Sequence, residues 1–304
     1  ERYHKCDVID LWHAWNEPRS RPMGECCCEH SRISYHTWLE EKFVNIDNLN
    51  DFYGKCWADF VDVDVPRSTS DFAEMHLWRQ WAATRVAERV RLVTEAIKEV
   101  DSTREVVAHV GISSVLQDVL DDTSDDYLTS QSVDFYGTSF EVRYFSAPLD
   151  VSCPFLIGDW LRAISKKGYF WINELYPSLT QWKPEIPPDK IVSWLWSAIA
   201  CGAKGIMFWQ FKKERLGQET FDAGIVEPDG RENKTSLALR KVFSVIRTNE
   251  SLFASTQVPR ANVVLVYDFG SDLVSRIEES DHLGDLSLVR KDSLSGGYMY
   301  KTAL

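Results

Sequence analysis

The sequence predicts an α/β fold assembled from consecutive strand–helix units around a parallel sheet, the (β/α)8 barrel plan. Three observations predict it. Short apolar runs alternate with longer amphipathic stretches along most of the 304 residues, the rhythm of parallel strands joined by right-handed helical crossovers. Those runs are apolar on both faces rather than alternating, as strands covered on both sides must be. Two of them, residues 6–18 and 169–182, stop at a carboxylate, Glu17 and Glu174. In such barrels the chemistry sits at the C-terminal ends of the strands.

Taken in order, residues 6–16 read as the first strand and 19–32 as a polar, cysteine-rich loop. Residues 33–43 and 49–57 read as short helices. The strongest helix is 70–100, where Trp78, Trp81, Ala82, Val86, Val90, Val93, Ile97 and Val100 recur at three- and four-residue spacing. Asp71 and Glu74 place negative charge at its start, where the helix dipole favours it. Strands then follow at 105–110, 133–140, 169–174 and 204–211, separated by helices at 113–128, 151–164 and 188–201, with another helix at 234–252. The helix at 188 opens on Pro188, a favourable first-turn residue. After a pause near 255–260, residues 263–269 (VVLVYDF) read as a new strand. The expected organisation is therefore a catalytic barrel portion at 1–257 and the start of a second α/β domain at 258–304. Five strands precede that boundary where a barrel needs eight, so the chain reads as the last five units of one.

Composition narrows the function. Hydrophobic residues make up 44% of the chain, enough for a full core. A net charge of −12 argues against nucleic acid or an anionic membrane surface, both of which attract basic proteins. No apolar run approaches the roughly 18 to 20 residues of a membrane span. Of seven cysteines, Cys6, Cys56, Cys153 and Cys201 stand singly in apolar context and read as buried small hydrophobes. That usage suits a reducing compartment, and a cytoplasmic location is the expectation. His4, His13, His36, His76, His109 and His282 show no ligand spacing and read as packing or surface residues. Twelve tryptophans are mostly core, but an aromatic at a strand end also stacks against a sugar ring.

Two acids at the ends of apolar strands are what glycoside hydrolysis requires, one protonated to release the leaving group and one ionised to attack the sugar carbon. For either acid alone, an ordinary helix-start carboxylate is an equally good reading. The pair together, three strands apart and with Asn16 beside Glu17, favours chemistry.

Trp15-Asn16-Glu17-Pro18 resembles the acid/base strand end of the large clan of (β/α)8 glycosidases, in which the nucleophile ends the strand three units later. Within that clan the chain resembles family 42 of the glycoside hydrolases, the β-galactosidases. The stretches that carry the resemblance are Cys26-Cys27-Cys28-Glu29-His30-Ser31; residues 35–43; Leu49-Asn50-Asp51-Phe52-Tyr53-Gly54 with Trp57; Trp182, eight residues past Glu174; Ala200-Cys201-Gly202-Ala203; and residues 217–224. Residues 263–269 resemble the first strand of the family's second domain, which takes part in trimer formation.

The resemblance implies a retaining exo-glycosidase acting by double displacement on terminal β-galactosides. Glu17 would be the acid/base, its pKa raised by partial burial among Trp12 and Trp15, and Glu174 the nucleophile. Asn16 would donate to the sugar 2-hydroxyl, Trp182 would form an aromatic wall, and Trp209, Glu219 and Asp222 would meet sugar hydroxyls. A homotrimer and a glycoside substrate are the implied partners, and no cofactor is required. Phe211, Lys212 and Asp222 depart from the family's usual Trp, Arg and His, so a β-mannoside, β-glucoside or α-L-arabinoside is the alternative substrate, and a non-catalytic carbohydrate-binding relative the alternative function. The family's structural zinc loop is matched by Cys26 and Cys28, but Ser31 stands at the third cysteine position, with Cys27 or His30 as substitutes.

Overall fold

The computed structural model describes residues 3–20, 26–68, 70–111, 113–115, 123–140, 153–177, 186–217 and 219–283. It divides into two compact units.

The first unit comprises Glu1–Glu17, Val93–Ser113 and Val133–Leu265. Its centre is a parallel sheet in the order β1 (Leu11–Asn16), β2 (Glu105–Val110), β3 (Phe135–Phe140), β4 (Phe170–Leu175), β5 (Ala203–Phe208). Spatial order thus follows sequence order, as consecutive barrel units require. The fold is the α/β class expected, and all five strands fall where the apolar runs place them. β2, β3 and β4 are buried almost throughout, which explains the continuous Val106-Val107-Ala108 and Phe170-Trp171-Ile172 runs. β1 and β5, each with one strand neighbour among the described residues, are largely half-buried or exposed. Arg104 fixes the approach to β1, donating to the carbonyls of His4 (2.5 Å), Cys6 (2.7 Å) and Ile9 (2.6 Å) and to Asp101 Oδ2 (2.6 Å).

Helices α5 (Cys153–Ile164), α6 (Pro188–Ala200), α7 (Lys234–Thr248) and α8 (Glu250–Ser255) belong to this unit. α7 starts at a capping box: the Asn233 side chain accepts from Ser236 N, and Ser236 Oγ accepts from Asn233 N. The single helix expected at 234–252 is split there, because the chain leaves helical geometry at Asn249 before α8 begins. Lys204 Nζ ties the exit of α8 to the start of β5 through the carbonyls of Phe253 (2.9 Å), Ala254 (3.3 Å) and Thr256 (2.9 Å).

The second unit comprises Pro18–Leu92, Ser114–Ser132 and Val266–Leu304. It contains α1 (Glu29–Phe43), α2 (Ile46–Tyr53), most of α3 (Phe72–Val100), α4 (Asp126–Ser130) and α9 (Phe269–Leu283). α3 runs 29 residues without a break, about 43 Å at 1.5 Å per residue. Leu77, Trp78, Trp81 and Ala82 of α3 pack with Tyr35 and Leu39 of α1, Leu49 of α2, and Phe60, Val63 and Val65. The stretch after Leu49 is held by reciprocal hydrogen bonds, Asn50 Nδ2 to Trp57 O and Trp57 N to Asn50 Oδ1, both 2.9 Å. Gly54 closes α2 at φ 63°, a left-handed cap that a side chain would strain. These bonds give Asn50, Gly54 and Trp57 a structural reason for their spacing.

Several expectations differ from the structure. Residues 263–268 form no strand: Val263, Val264, Leu265 and Val266 are exposed and irregular, and α9 begins at Phe269. A β-prone run becomes a strand only when another strand takes its backbone bonds, and none does so among the described residues. The α9 residues Phe269, Leu273 and Ile277 instead pack with Met75 and Ala83. Of the helix expected at 113–128, the described residues show only the short α4, capped by Asp125, whose side chain accepts from Leu128 N. Cys201 is buried as expected, but Cys6 is half-buried and Cys56 exposed.

Candidate active site

The strand register assembles the site. Asn16 lies opposite His109 across β1 and β2, and Ser139 opposite Glu174 across β3 and β4. Glu17 follows directly, its backbone N–H donating to the His109 carbonyl at 3.0 Å. Register shifts occur close by, between His13 and Trp15, Thr138 and Ser139, and Ile172 and Leu175. Such bulges re-aim side chains at strand ends. Glu17 itself has φ 47°, a left-handed conformation that costs a non-glycine residue about 1 to 3 kcal/mol. The chain holds that strain where the carboxylate leaves the strand.

Two acids distant in sequence thereby meet. One carboxylate oxygen of Glu17, one of Glu174 and a ring nitrogen of His109 lie within 4.8 Å of one another. The Ser139 hydroxyl bridges the acids, 3.0 Å from Glu17 Oε1 and 3.4 Å from Glu174 Oε2. With one proton to give, it favours one carboxylate at a time. Tyr176 Oη donates to Glu174 Oε2 at 2.7 Å. His109 Nε2 lies 3.4 Å from Glu174 Oε1, an electrostatic contact without hydrogen-bond alignment. Gly111 leaves the room that Glu17 occupies, since a Cβ there would sit 2.6 Å from Glu17 Oε1.

The electrostatics of the two acids differ. Burial alone would raise the Glu174 carboxyl, but His109, Tyr176 and Ser139 together outweigh it and hold the group below the ordinary carboxylate range. Glu174 is therefore an anion at neutral pH. His13 Nε2 meets His109 Nδ1 at 2.8 Å. Although an edge of His13 is open to solvent, loss of surrounding water pushes it down to about 4, with His109 adding to the effect and Glu174 opposing it. Asn173, beside Glu174, is buried, and neither of its side-chain polar atoms finds a hydrogen-bond partner.

The other residues singled out by sequence divide. Asn16 is exposed at the end of β1. Trp209 and Glu219 are brought together, indole Nε1 donating to Glu219 Oε2 at 2.6 Å, with Trp209 partly exposed. Asp222 is 1% exposed and its Oδ1 accepts from Ala223 N at 2.8 Å, so it presents almost no surface. Trp182 lies outside the described residues. Trp12 turns to Asp101, its Nε1 donating to Oδ2 at 2.9 Å, and Trp15 is exposed, so these two indoles do not form the expected apolar jacket around Glu17.

Sequence reasoning missed His13, His109, Ser139, Tyr176 and Gly111. The available signal was positional: His109 falls at the end of its apolar run, as Glu17 and Glu174 do, and His13 lies in the same run as Glu17.

Among the described residues the cysteine loop gathers no set of ligands for a structural zinc. Cys26, Cys27 and Cys28 are exposed and form no disulfide. Cys28 N donates to Cys26 Sγ at 3.4 Å, and Cys28 Sγ lies 3.7 Å from Ser31 Oγ. Hydrogen bonds from Cys26 and then Ser31 draw the Cys28 thiol down to about 7. Tetrahedral zinc takes four ligands. Among the described residues the loop gathers no set of even three, the one such set being Glu17, His109 and Glu174.

With this geometry in view, comparison with known proteins is decisive for the family. The model of glycoside hydrolase family 42, β-galactosidase, matches residues 1–250. The chain belongs to that family. The β-galactosidase Bga of Halorubrum lacusprofundi is 29% identical over 252 residues, which cover 76% of this chain and 35% of that protein. The β-galactosidase bgaB of Geobacillus kaustophilus is 24% identical over 241 residues, 74% of this chain and 34% of its own length. The chain thus spans about a third of the length of these curated family members. Among solved structures, the β-galactosidase of the psychrophilic Marinomonas ef1 shares the fold at a TM-score of 0.77 and 17% identity, over 92% of this chain and 46% of that one. The exo-carrageenase of Bacteroides ovatus, also of family 42, shares it at 0.67 and 16%, over 90% and 40%.

Proposed function

We infer that this family 42 chain carries the catalytic acids of a retaining glycoside hydrolase acting on terminal β-galactosides. The observation that carries the reading is the approach of Glu17 and Glu174 to within 4.8 Å, bridged by the Ser139 hydroxyl. Retaining enzymes hold their two carboxyl groups about 5 to 5.5 Å apart, and inverting enzymes hold them about 6.5 to 9.5 Å apart to admit a water.

In the first step Glu174, held as an anion, attacks the anomeric carbon. The glycosidic C–O bond breaks as Glu17 gives its proton to the departing oxygen. In the second step Glu17, now a carboxylate, takes a proton from water. That water attacks the anomeric carbon and the bond to Glu174 breaks, restoring both acids. On this reading Asn16 donates to the 2-hydroxyl, and Trp209 and Glu219 contact other hydroxyls.

A panel of nitrophenyl glycosides tests this, with the anomer released first identified by NMR. Hydrolysis of the β-galactoside with retention is expected. Inversion, or no turnover of any aryl glycoside, would sink it. Glu174→Gln should lower turnover roughly 10,000-fold or more while sugar affinity persists. Unchanged turnover in that variant would remove Glu174 from the mechanism. A second reading, the same chemistry on another glycoside, is favoured by the departures at Phe211 and Lys212 and by a carrageenase among the neighbours. The same panel separates the two.

A further inference from the structure

We propose that Glu17, His109 and Glu174 form a site for a borderline divalent ion such as Zn2+, and that the bound ion shuts the glycosidase site. The competition rests on the catalytic reading of the two acids; the metal site itself rests on geometry alone. His109 carries the argument. Its side chain is 1% exposed, yet Nε2 has no hydrogen-bond partner and points at Glu174 Oε1, 3.4 Å away. A buried nitrogen left without a partner calls for an explanation. Zinc bonds of about 2.0 to 2.1 Å in a tetrahedron set ligand atoms about 3.3 Å apart, so the His109–Glu174 edge already has the length a shared ion needs. Closing the Glu17 oxygen in from 4.8 Å or less completes a three-ligand face.

The donor chemistry agrees. One imidazole and two carboxylates make the set that leaves zinc a fourth position for water, and such nitrogen–oxygen sites favour Zn2+, Ni2+ and Cu2+ over Mg2+ and Ca2+. A ligating histidine gives its other ring N–H to a neighbour, which fixes the tautomer. His13 Nε2, 2.8 Å from His109 Nδ1, is that neighbour. With the proton on Nδ1 and donated to His13, the Nε2 lone pair faces the two carboxylates. Two anions and a neutral imidazole balance the ion's charge. Both acids are then engaged, so no proton remains for the leaving group and no free carboxylate for the attack.

The experiment uses the protein with Cys26→Ser, Cys27→Ser, Cys28→Ser and Cys56→Ser, so that exposed thiols do not compete, after removal of adventitious metal by a chelator. Equilibrium dialysis against Zn2+ should retain one ion per chain, and His109→Ala should weaken its binding roughly 100-fold. Co2+ as the probe should give visible bands of a four- or five-coordinate nitrogen–oxygen site. That spectrum decides the matter if His109→Ala does not fold. With a nitrophenyl β-galactoside, Zn2+ should raise KM and leave kcat unchanged. Absence of a bound ion, unweakened binding in His109→Ala, an octahedral Co2+ spectrum, or a KM unchanged by Zn2+ each overturns the proposal. The metal-free protein tests the other reading separately: ion binding without turnover under any condition would sink the glycosidase assignment and leave the site standing.

Discussion

The two units fill their centres with different side chains. The second unit fills its middle with apolar and aromatic side chains. Tyr35 meets Trp78 edge-on at 5.0 Å between ring centroids, Trp78 meets Trp81 at 4.4 Å, and Leu39, Leu49 and Leu77 complete the packing. The sheet of the first unit also has an apolar body, but its strand ends bury Glu174, His109, Asn173 and Ser139. Several of those polar atoms lack ordinary partners, and Glu17 holds a strained backbone. Burying polar groups without full pairing costs stability. Both units bury polar atoms without hydrogen-bond partners, Tyr35 Oη and Trp81 Nε1 in the aromatic cluster as well as His109 Nε2 and the Asn173 amide at the strand ends; what sets the strand ends apart is that ionisable side chains gather there.

Substitutions that strike one region and spare the other test this contrast. The largest stability effect belongs to the aromatic cluster. Trp81→Ala should cost about 3 to 5 kcal/mol, read by urea unfolding, with turnover of the folded fraction little changed. A loss below about 1 kcal/mol would mean that the cluster is not a tightly packed core. At the strand ends the sign reverses: Gly111→Ala should leave unfolding nearly unaltered while displacing Glu17. A misplacement of about 1 Å lowers kcat/KM on the order of 100-fold, and an active Gly111→Ala enzyme would show that Glu17 does not need that space.

Subtler effects follow from titration. Tyr176→Phe removes a donor that lowers the Glu174 carboxyl, so the acidic limb of the kcat/KM profile should move to higher pH. The native fold gains from the lowered Glu174 above the ordinary carboxylate pKa, and that gain disappears as pH falls through the lowered value. The variant should accordingly show a smaller acid loss of stability, and an unmoved limb would separate Tyr176 from Glu174. The smallest effect concerns His13. Between the ordinary 6.5 and about 4, the unfolded chain binds a proton that the folded His13 refuses. Stability should therefore fall as pH drops through that window, and His13→Gln should flatten the fall in urea midpoints measured at pH 7 and pH 5.

Much of the fold was legible because it is written locally. Continuous apolar runs mark strands covered on both faces, and three- and four-residue spacing marks α3. The run at 263–266 was misread for the complementary reason: β propensity reports a side chain's fitness for a pleated surface, not whether a neighbouring strand exists. The acids were legible because each closes an apolar run. Their helpers were not. Ser139 is one serine among many, and Tyr176 lies past the strand end with nothing to mark it. Asp222 shows the converse, a polar residue in a loop that resembles a sugar-binding one, yet buried with its carboxylate turned to its own backbone.

By itself the sequence determined the five strands of the sheet and the long helix α3, their order, and that Glu17 and Glu174 end strands three units apart. Hydrophobic periodicity is a property of neighbouring residues, and it survives in a linear string. The tertiary structure decided that the two acids come within 4.8 Å, that Ser139 lies between them and that His109 faces Glu174. Those relations depend on sheet register and on bulges near the strand ends. One step of register turns a side chain to the other face of the sheet, and no local pattern in the chain records which step is taken.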